Sequence, residues 1–139
     1  MSLEVYTIGG VKTTDLTGKT IKSANFDTNA PGIGAVAPLK MLGAAYQVPA
    51  GKKFVLCYGI VTATYSSPYG PGAIGYSDSP TSGPVTVFAV TPKLINTNPP
   101  QPFTLLGVIP AGKYLVLQNL SGDENLYQAI TVTGYECDA

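Results

Sequence analysis

A nine-residue phrase occurs twice in this chain and restricts the folds that it can adopt. Residues 48–56 read VPAGKKFVL, and residues 109–117 read IPAGKYLVL. Each copy has an apolar residue, then a Pro-Ala-Gly turn, then a lysine and an apolar run. Proline at the second turn position fixes φ, and the glycine then supplies a positive φ at no steric cost. The residues that we expect to shape these turns are Pro49, Gly51, Pro110 and Gly112. Two strand–corner–strand units predict an all-β fold.

The remainder of the chain repeats the pattern of short apolar runs separated by turn-rich segments. The predicted strands cover residues 52–65, 73–76, 85–91, 103–108, 113–120 and 126–136. No ten-residue window has helical apolar spacing without glycine or proline, so no helix is predicted. Strands of this length and spacing are typical of two packed antiparallel sheets. We therefore predict an antiparallel β-sandwich of the jelly-roll type over residues 41–139.

The first 40 residues have a different composition and predict an extended N-terminal arm or edge strands. Residues 3–8 can form a strand, but residues 11–25 contain few large apolar side chains. Residues 27–38 consist mainly of small residues, proline and glycine, which are typical of a loop. A segment without a core of its own usually packs elsewhere.

The strand predicted at residues 52–65 is apolar on both faces. Simple alternation assigns Phe54, Leu56, Tyr58 and Ile60 to one face and Val55, Cys57, Val61 and Ala63 to the other. A sandwich buries only one face of a strand, so the second face needs another cover. The chain also has only eight acidic and eight basic residues, with a net charge of zero. These features predict a homo-oligomer, with a trimer preferred, because little charge keeps copies apart.

The composition argues against most chemistry. Histidine and arginine are absent, and the eight lysines are scattered from Lys12 to Lys113. Histidine is the commonest general base and nitrogen metal ligand, and a basic patch is the signature of nucleic-acid binding. We therefore expect no enzyme, no catalytic residues, no metal, no cofactor and no nucleic-acid partner. Cys57 and Cys137 lack metal-ligand spacing and are predicted to be thiols. We find neither a signal peptide nor a membrane-spanning stretch, which predicts a chain made in the cytoplasm.

Tyrosine gives the strongest hint of recognition among the polar residues. Tyr65 and Tyr69 belong to a Pro/Gly-rich loop, and Tyr76 follows it closely. Tyrosine offers flat apolar area and a hydroxyl at small entropic cost, which suits carbohydrate or protein recognition. The same rings can instead pack across a subunit contact or cap one end of the sandwich, and this second interpretation is favoured.

Three segments resemble small jelly-roll structural proteins of tailed bacteriophages. They are VPAGK at residues 48–52, IPAGKYLVLQNLSG at residues 109–122 and YQAITVTGYE at residues 127–136, within a likeness that covers residues 44–136. The resemblance implies a non-enzymatic, commonly trimeric virion protein. Under it, we expect a decoration (cement) protein on the capsid surface that binds the major capsid protein or another virion protein.

An alternative within the same resemblance is the tip domain of a phage fibre. In that case the loops at residues 66–72 and 77–84 would bind a host glycan or another receptor.

Overall fold

The chain folds into two antiparallel β-sheets that face each other. The computed structural model describes residues 20–26, 33–63, 70–120 and 126–139. Within these ranges, it describes residues 104–106 by their backbone alone. The strands in these ranges are β1 (Thr20–Phe26), β2 (Val36–Pro38), β3 (Lys40–Met41), β4 (Ala44–Ala45), β5 (Lys52–Ala63), β6 (Gly72–Ser77), β7 (Thr86–Val90), β8 (Gln101–Ile109), β9 (Tyr114–Asn119) and β10 (Gln128–Asp138). The described ranges contain no helix, and the all-β prediction is confirmed.

The two sheets form a β-sandwich. One has six strands in the order β4-β3-β1-β10-β5-β8, and the other has four in the order β2-β9-β6-β7. Apolar side chains from both sheets fill the space between them. The largest of these fully buried side chains include Phe54, Leu56, Ile74, Ile109, Leu115, Leu117 and Ile130. The six strands predicted from residue 52 onward correspond to β5 to β10, and for β6 to β10 the predicted ends differ from the observed ones by one or two residues.

Within the first 40 residues, expected to form an N-terminal arm or edge strands, the described part contains β1, β2 and the start of β3, which belong to the two sheets. β1 lies between β3 and β10, and Thr20–Phe26 pairs with β10 along its whole length. Ala24 and Phe26 are buried in the core. β2 is an edge strand of the four-stranded sheet. β1 is therefore an inner strand of the sandwich, whereas the strand predicted at residues 3–8 lies outside the described residues.

A short hairpin carries the chain from one sheet to the other and back. β3 and β4 are joined by Leu42 and Gly43, with φ of 52° and 80°. Positive φ at both positions of a two-residue loop is typical of a type I′ turn. On either side of the hairpin, the Leu39 N–H donates to Leu115 O and the Leu115 N–H donates to Tyr46 O. The hairpin thus joins the six-stranded sheet while its flanks hold β9.

The two Pro-Ala-Gly turns differ from expectation in one respect. Gly51 and Gly112 take φ of 76° and 83°, in the left-handed region that glycine allows. The Lys52 N–H donates to Pro49 O at 3.1 Å, and the second turn has the same bond at 3.3 Å. Each proline therefore occupies the first turn position, not the second as predicted. Glycine is then the third residue, where a type II turn requires positive φ.

The prediction of which β5 side chains share a face was wrong beyond residue 56. The register of β5 shifts between Leu56 and Tyr58, where Cys57 is the extra residue of a β-bulge. A one-residue bulge exchanges the faces of all later side chains. Val61 therefore points into the core, while Tyr58 and Ile60 point away from the second sheet and are 39% and 37% exposed.

Candidate interaction surface

The surface of the six-stranded sheet that points away from the second sheet is the candidate functional site, and we call it the outer face. It consists of alternate residues of four neighbouring strands. These are Ile21, Ser23 and Asn25 in β1, Ala129, Thr131, Thr133, Tyr135 and Cys137 in β10, Lys53, Val55, Tyr58, Ile60 and Thr62 in β5, and Pro102 and Val108 in β8.

An apolar row crosses the outer face in register. Ile21 is opposite Tyr135, Tyr135 is opposite Val55, and Val55 is opposite Val108. The two ends of the row are open, since Ile21 is 67% and Val108 is 41% exposed. Val55 and Cys137 are fully buried, with the ring of Tyr135 packed against them. Cross-strand contacts of this kind stabilise a sheet, and here they leave exposed apolar groups at the two ends of the row, Ile21 and Val108.

Hydroxyl and amide groups fill the rows beside it. The Ser23 and Thr133 hydroxyls are 3.1 Å apart, and the Thr131 hydroxyl donates to Asn25 Oδ1 at 2.9 Å. Both pairs are exposed and directly opposite each other in the β1–β10 ladder. At the Asn25 end of the face, the small side chain of Ala129 helps form a shallow cavity of about 270 Å³, together with Ile60 and Thr62 among others.

Charge is nearly absent from the outer face. Among the described residues of β1, β5, β8 and β10 that point outward, only Lys53 is charged, and the exposed Lys40 of β3, opposite Asn25, adds a second lysine to the same side of the sheet. The other charged residues of β1 and β10 point to the opposite side of the sheet. Lys22 Nζ is 3.0 Å from Glu136 Oε2, and the Tyr46 hydroxyl donates to the same oxygen at 2.6 Å.

This inward cluster is largely shielded from solvent. The Glu136 side chain is 12% exposed, and Lys22 Nζ lies 5.8 Å from the centre of the Tyr46 ring. Burial opposes ionisation of Glu136, but the bonds from Tyr46 and Lys22 outweigh it, so the pKa of Glu136 is lowered. Burial and the bond to Glu136 raise the pKa of Tyr46. At neutral pH the carboxylate is therefore ionised and the phenol is protonated.

Glu136 should make the stability of the fold depend on pH in acid. Its carboxyl has an ordinary pKa of 4.5 in the unfolded chain and a lower pKa in the fold. Its stabilising contribution is thus complete above pH 4.5 and is lost as pH falls through the folded pKa. Urea unfolding of the intact protein and of Glu136→Gln, from pH ~7 to pH ~3, should give curves that converge in acid. A constant difference between the two proteins over this range would contradict the assignment.

Of the three tyrosines predicted as an interaction loop, the structure describes Tyr76. Tyr76 packs against Phe88, with ring centres 5.4 Å apart, and contacts the core. Tyr65 and Tyr69 lie outside the described residues. The loops at residues 66–72 and 77–84 adjoin opposite ends of β6, a strand of six residues.

The turn residues predicted from the repeat lie side by side at one end of the sandwich. The Gly112 N–H donates to Val48 O at 2.8 Å, and the Val48 N–H donates to Lys113 O at 2.9 Å. Pro49 and Gly112 line a shallow groove of about 450 Å³ between the turns, and Pro110 and Gly51 complete the corners. The contacts show a structural role for these residues in joining the two repeats.

Sequence reasoning missed the residues at the ends of the apolar row. Ile21 lies within residues 11–25, for which no strand is predicted from the sequence, and Val108 ends the strand predicted at residues 103–108, to which no face is assigned. The alternation in residues 20–26, with Ile21, Ser23 and Asn25 separated by Lys22, Ala24 and Phe26, was the signal available for β1.

The described residues contain no group of three or more His, Cys, Asp or Glu placed to hold a metal ion. Cys57 and Cys137 are buried thiols, and the Cys57 Sγ lies 3.7 Å from Val55 O. In the ranges that the structure describes, we find no helix long and apolar enough to cross a membrane.

No family model matches this chain, and neither curated proteins nor solved structures gave a significant match.

Proposed function

We propose that this chain is a non-enzymatic structural protein of a virion, a decoration (cement) protein that stabilises the capsid through protein–protein contacts. Its partners are copies of itself, in a trimer, and the major capsid protein or another virion protein on the capsid surface. The proposal combines the resemblance of the corner and C-terminal segments to phage structural proteins with the outer face, which is the observation that carries it. A broad face with open aliphatic groups and almost no charge is suited to contact with protein.

We further propose that the sandwich is a jelly roll, and the strand pairing supports this. When the β3–β4 hairpin is set aside, eight strands remain, in sheets ordered β1-β10-β5-β8 and β2-β9-β6-β7. The first pairs with the last, the second with the seventh, the third with the sixth and the fourth with the fifth, all antiparallel. This is the pairing that results when one long antiparallel hairpin of eight strands is rolled into two sheets.

Binding to capsid shells tests the function directly. The shells come from the virus that carries the gene, are prepared without this chain, and are mixed with purified protein before sedimentation. We expect saturable binding at a fixed number of copies per shell and an increase in the temperature at which the shells break. A shell of an unrelated virus serves as the control. Pelleting that is equal with both shells, or that never saturates, would contradict the proposal.

A glycan array distinguishes the alternative of a receptor-binding fibre tip. Under our proposal the intact protein gives no glycan signal above that of a heat-unfolded sample. Specific binding to one glycan class, together with no binding to shells, would replace the decoration function by the fibre-tip function.

A further inference from the structure

We infer that the outer face is the surface through which copies of this chain pack against one another. This inference deepens the proposed function and rests on it only in placing the oligomer on a virion. In a trimer, the outer faces of three subunits surround a common axis, and each contacts its two neighbours.

The chemistry of the outer face is suited to contact with itself. Hydroxyl groups both donate and accept hydrogen bonds, and an amide does so through its nitrogen and oxygen. Ser23, Asn25, Thr131 and Thr133 can therefore pair with hydroxyl or amide groups of another copy, whichever of these residues the symmetry of the oligomer brings together. A lysine cannot pair with another lysine, and the charges on the described part of this side of the sheet are few, Lys53 in β5 and Lys40 in β3. A nucleic acid or an anionic membrane, by contrast, would need the cluster of positive charge that this face does not offer.

The size of the face approaches that of a stable interface. The four strands contain 7, 11, 12 and 9 residues. With about 3.3 Å per residue and about 4.8 Å between strands, the face covers about 600 Å² before side-chain relief is counted. A standard interface buries about 800 Å² on each partner. The outer face by itself is thus somewhat smaller than a standard interface, and side-chain relief adds to its area.

The outer face has both a protruding apolar side chain and a shallow cavity. Ile21 is the most exposed of its apolar residues, at 67%. The cavity of about 270 Å³ beside Ala129 lies towards the other end of the same strands. An aliphatic side chain from a neighbouring copy that enters this cavity would be removed from water, which favours association.

Charge introduced at matched positions on the two sheets tests the inference. Val108 on β8 and Val87 on β7 are both valines on edge strands, 41% and 44% exposed. Val108→Lys places like charges on the outer face of every copy, whereas Val87→Lys places them on the other sheet. We measure the mass in solution by light scattering and sedimentation at tens of micromolar, and the fold by circular dichroism.

We expect the intact protein and Val87→Lys to have three times the chain mass of 14.4 kDa. Val108→Lys should be monomeric, with at least a tenfold weaker association. Ile21→Lys is a second variant at a more exposed position and should dissociate in the same way, even if Val108→Lys fails to fold. A dimer that dissociates on these changes would also support the surface while replacing the trimer.

The inference is overturned if the intact protein is a monomer, or if both outer-face variants keep the intact mass. Binding to shells is measured separately on the intact protein. An oligomer that is broken by Val108→Lys and does not bind shells would leave this inference standing and contradict the proposed function.

Discussion

Gly134→Ala is expected to lower the free energy of unfolding by about 3 kcal/mol or more. A Cβ on Gly134 would lie 2.2 Å from Val55 O and 2.9 Å from the ring of Phe54. The carbonyl belongs to the backbone of the neighbouring strand, and Phe54 is fully buried in the core, so neither can move without disturbing the sheet. Urea unfolding monitored by circular dichroism at a single temperature gives the value.

Gly112→Ala provides the control for this prediction. Gly112 has φ of 83°, and a Cβ there would meet nothing within 4 Å. Alanine at this turn therefore incurs only the penalty of a left-handed backbone, about 1–2 kcal/mol. If the two variants were equally destabilised, the close approach of β5 to β10 at Gly134 would not limit the size of the residue there.

Thr91→Val should destabilise the fold by roughly 2–4 kcal/mol, although valine has nearly the shape of threonine. The buried Thr91 hydroxyl accepts a bond from the Gly72 N–H at 2.9 Å and donates to Gln128 Oε1 at 2.7 Å. The Gln128 amide in turn donates to Pro92 O at 2.7 Å, which connects the start of β10 to the segment after β7. With valine, the Gly72 N–H and Gln128 Oε1 would each lose the hydrogen bond to residue 91. The loss of such a bond by a buried polar group costs about 1–3 kcal/mol of stability.

Thr86→Val is the matched control, since Thr86 is an exposed threonine of β7. Its effect should stay within about 0.5 kcal/mol, as is usual for surface changes. Thermal or urea unfolding of the two variants side by side decides the prediction. Equal stability of Thr91→Val and the intact protein would show that water or backbone movement replaces the lost bonds.

The strands after residue 52 could be predicted because their signals are local. Each is a run of β-branched, aromatic or aliphatic residues that ends at proline, glycine or asparagine. β1 could not be identified in this way, because its outward face is not uniformly polar and its core face is not uniformly apolar. Ile21 is exposed, while Lys22 points to the core side, where it is satisfied by Glu136, a residue 114 positions later in the sequence. Only the folded structure brings these two charges together.

The candidate surface was predictable in part. The sequence of β5 predicted a strand with two apolar faces, and three of its five outward residues, Val55, Tyr58 and Ile60, are hydrophobic or aromatic. The bulge at Cys57 left no sign in the sequence, so Tyr58 and Ile60 were assigned to the wrong face. The in-register row from Ile21 to Val108 depends on three strand pairings, which hydrophobic alternation within one strand cannot supply.

The position of β10 also has a consequence for how the protein is made. β10 lies between β1 and β5 in the six-stranded sheet, although it is the last of these strands to leave the ribosome. Until it arrives, β1 and β5 have no partner on their facing edges, and the Phe54 ring has no strand beside it at Gly134. The sandwich therefore cannot close progressively during translation. We expect the sandwich to form only after β10 has been synthesised. Its folding should be slow, as is usual for folds dominated by contacts distant in sequence.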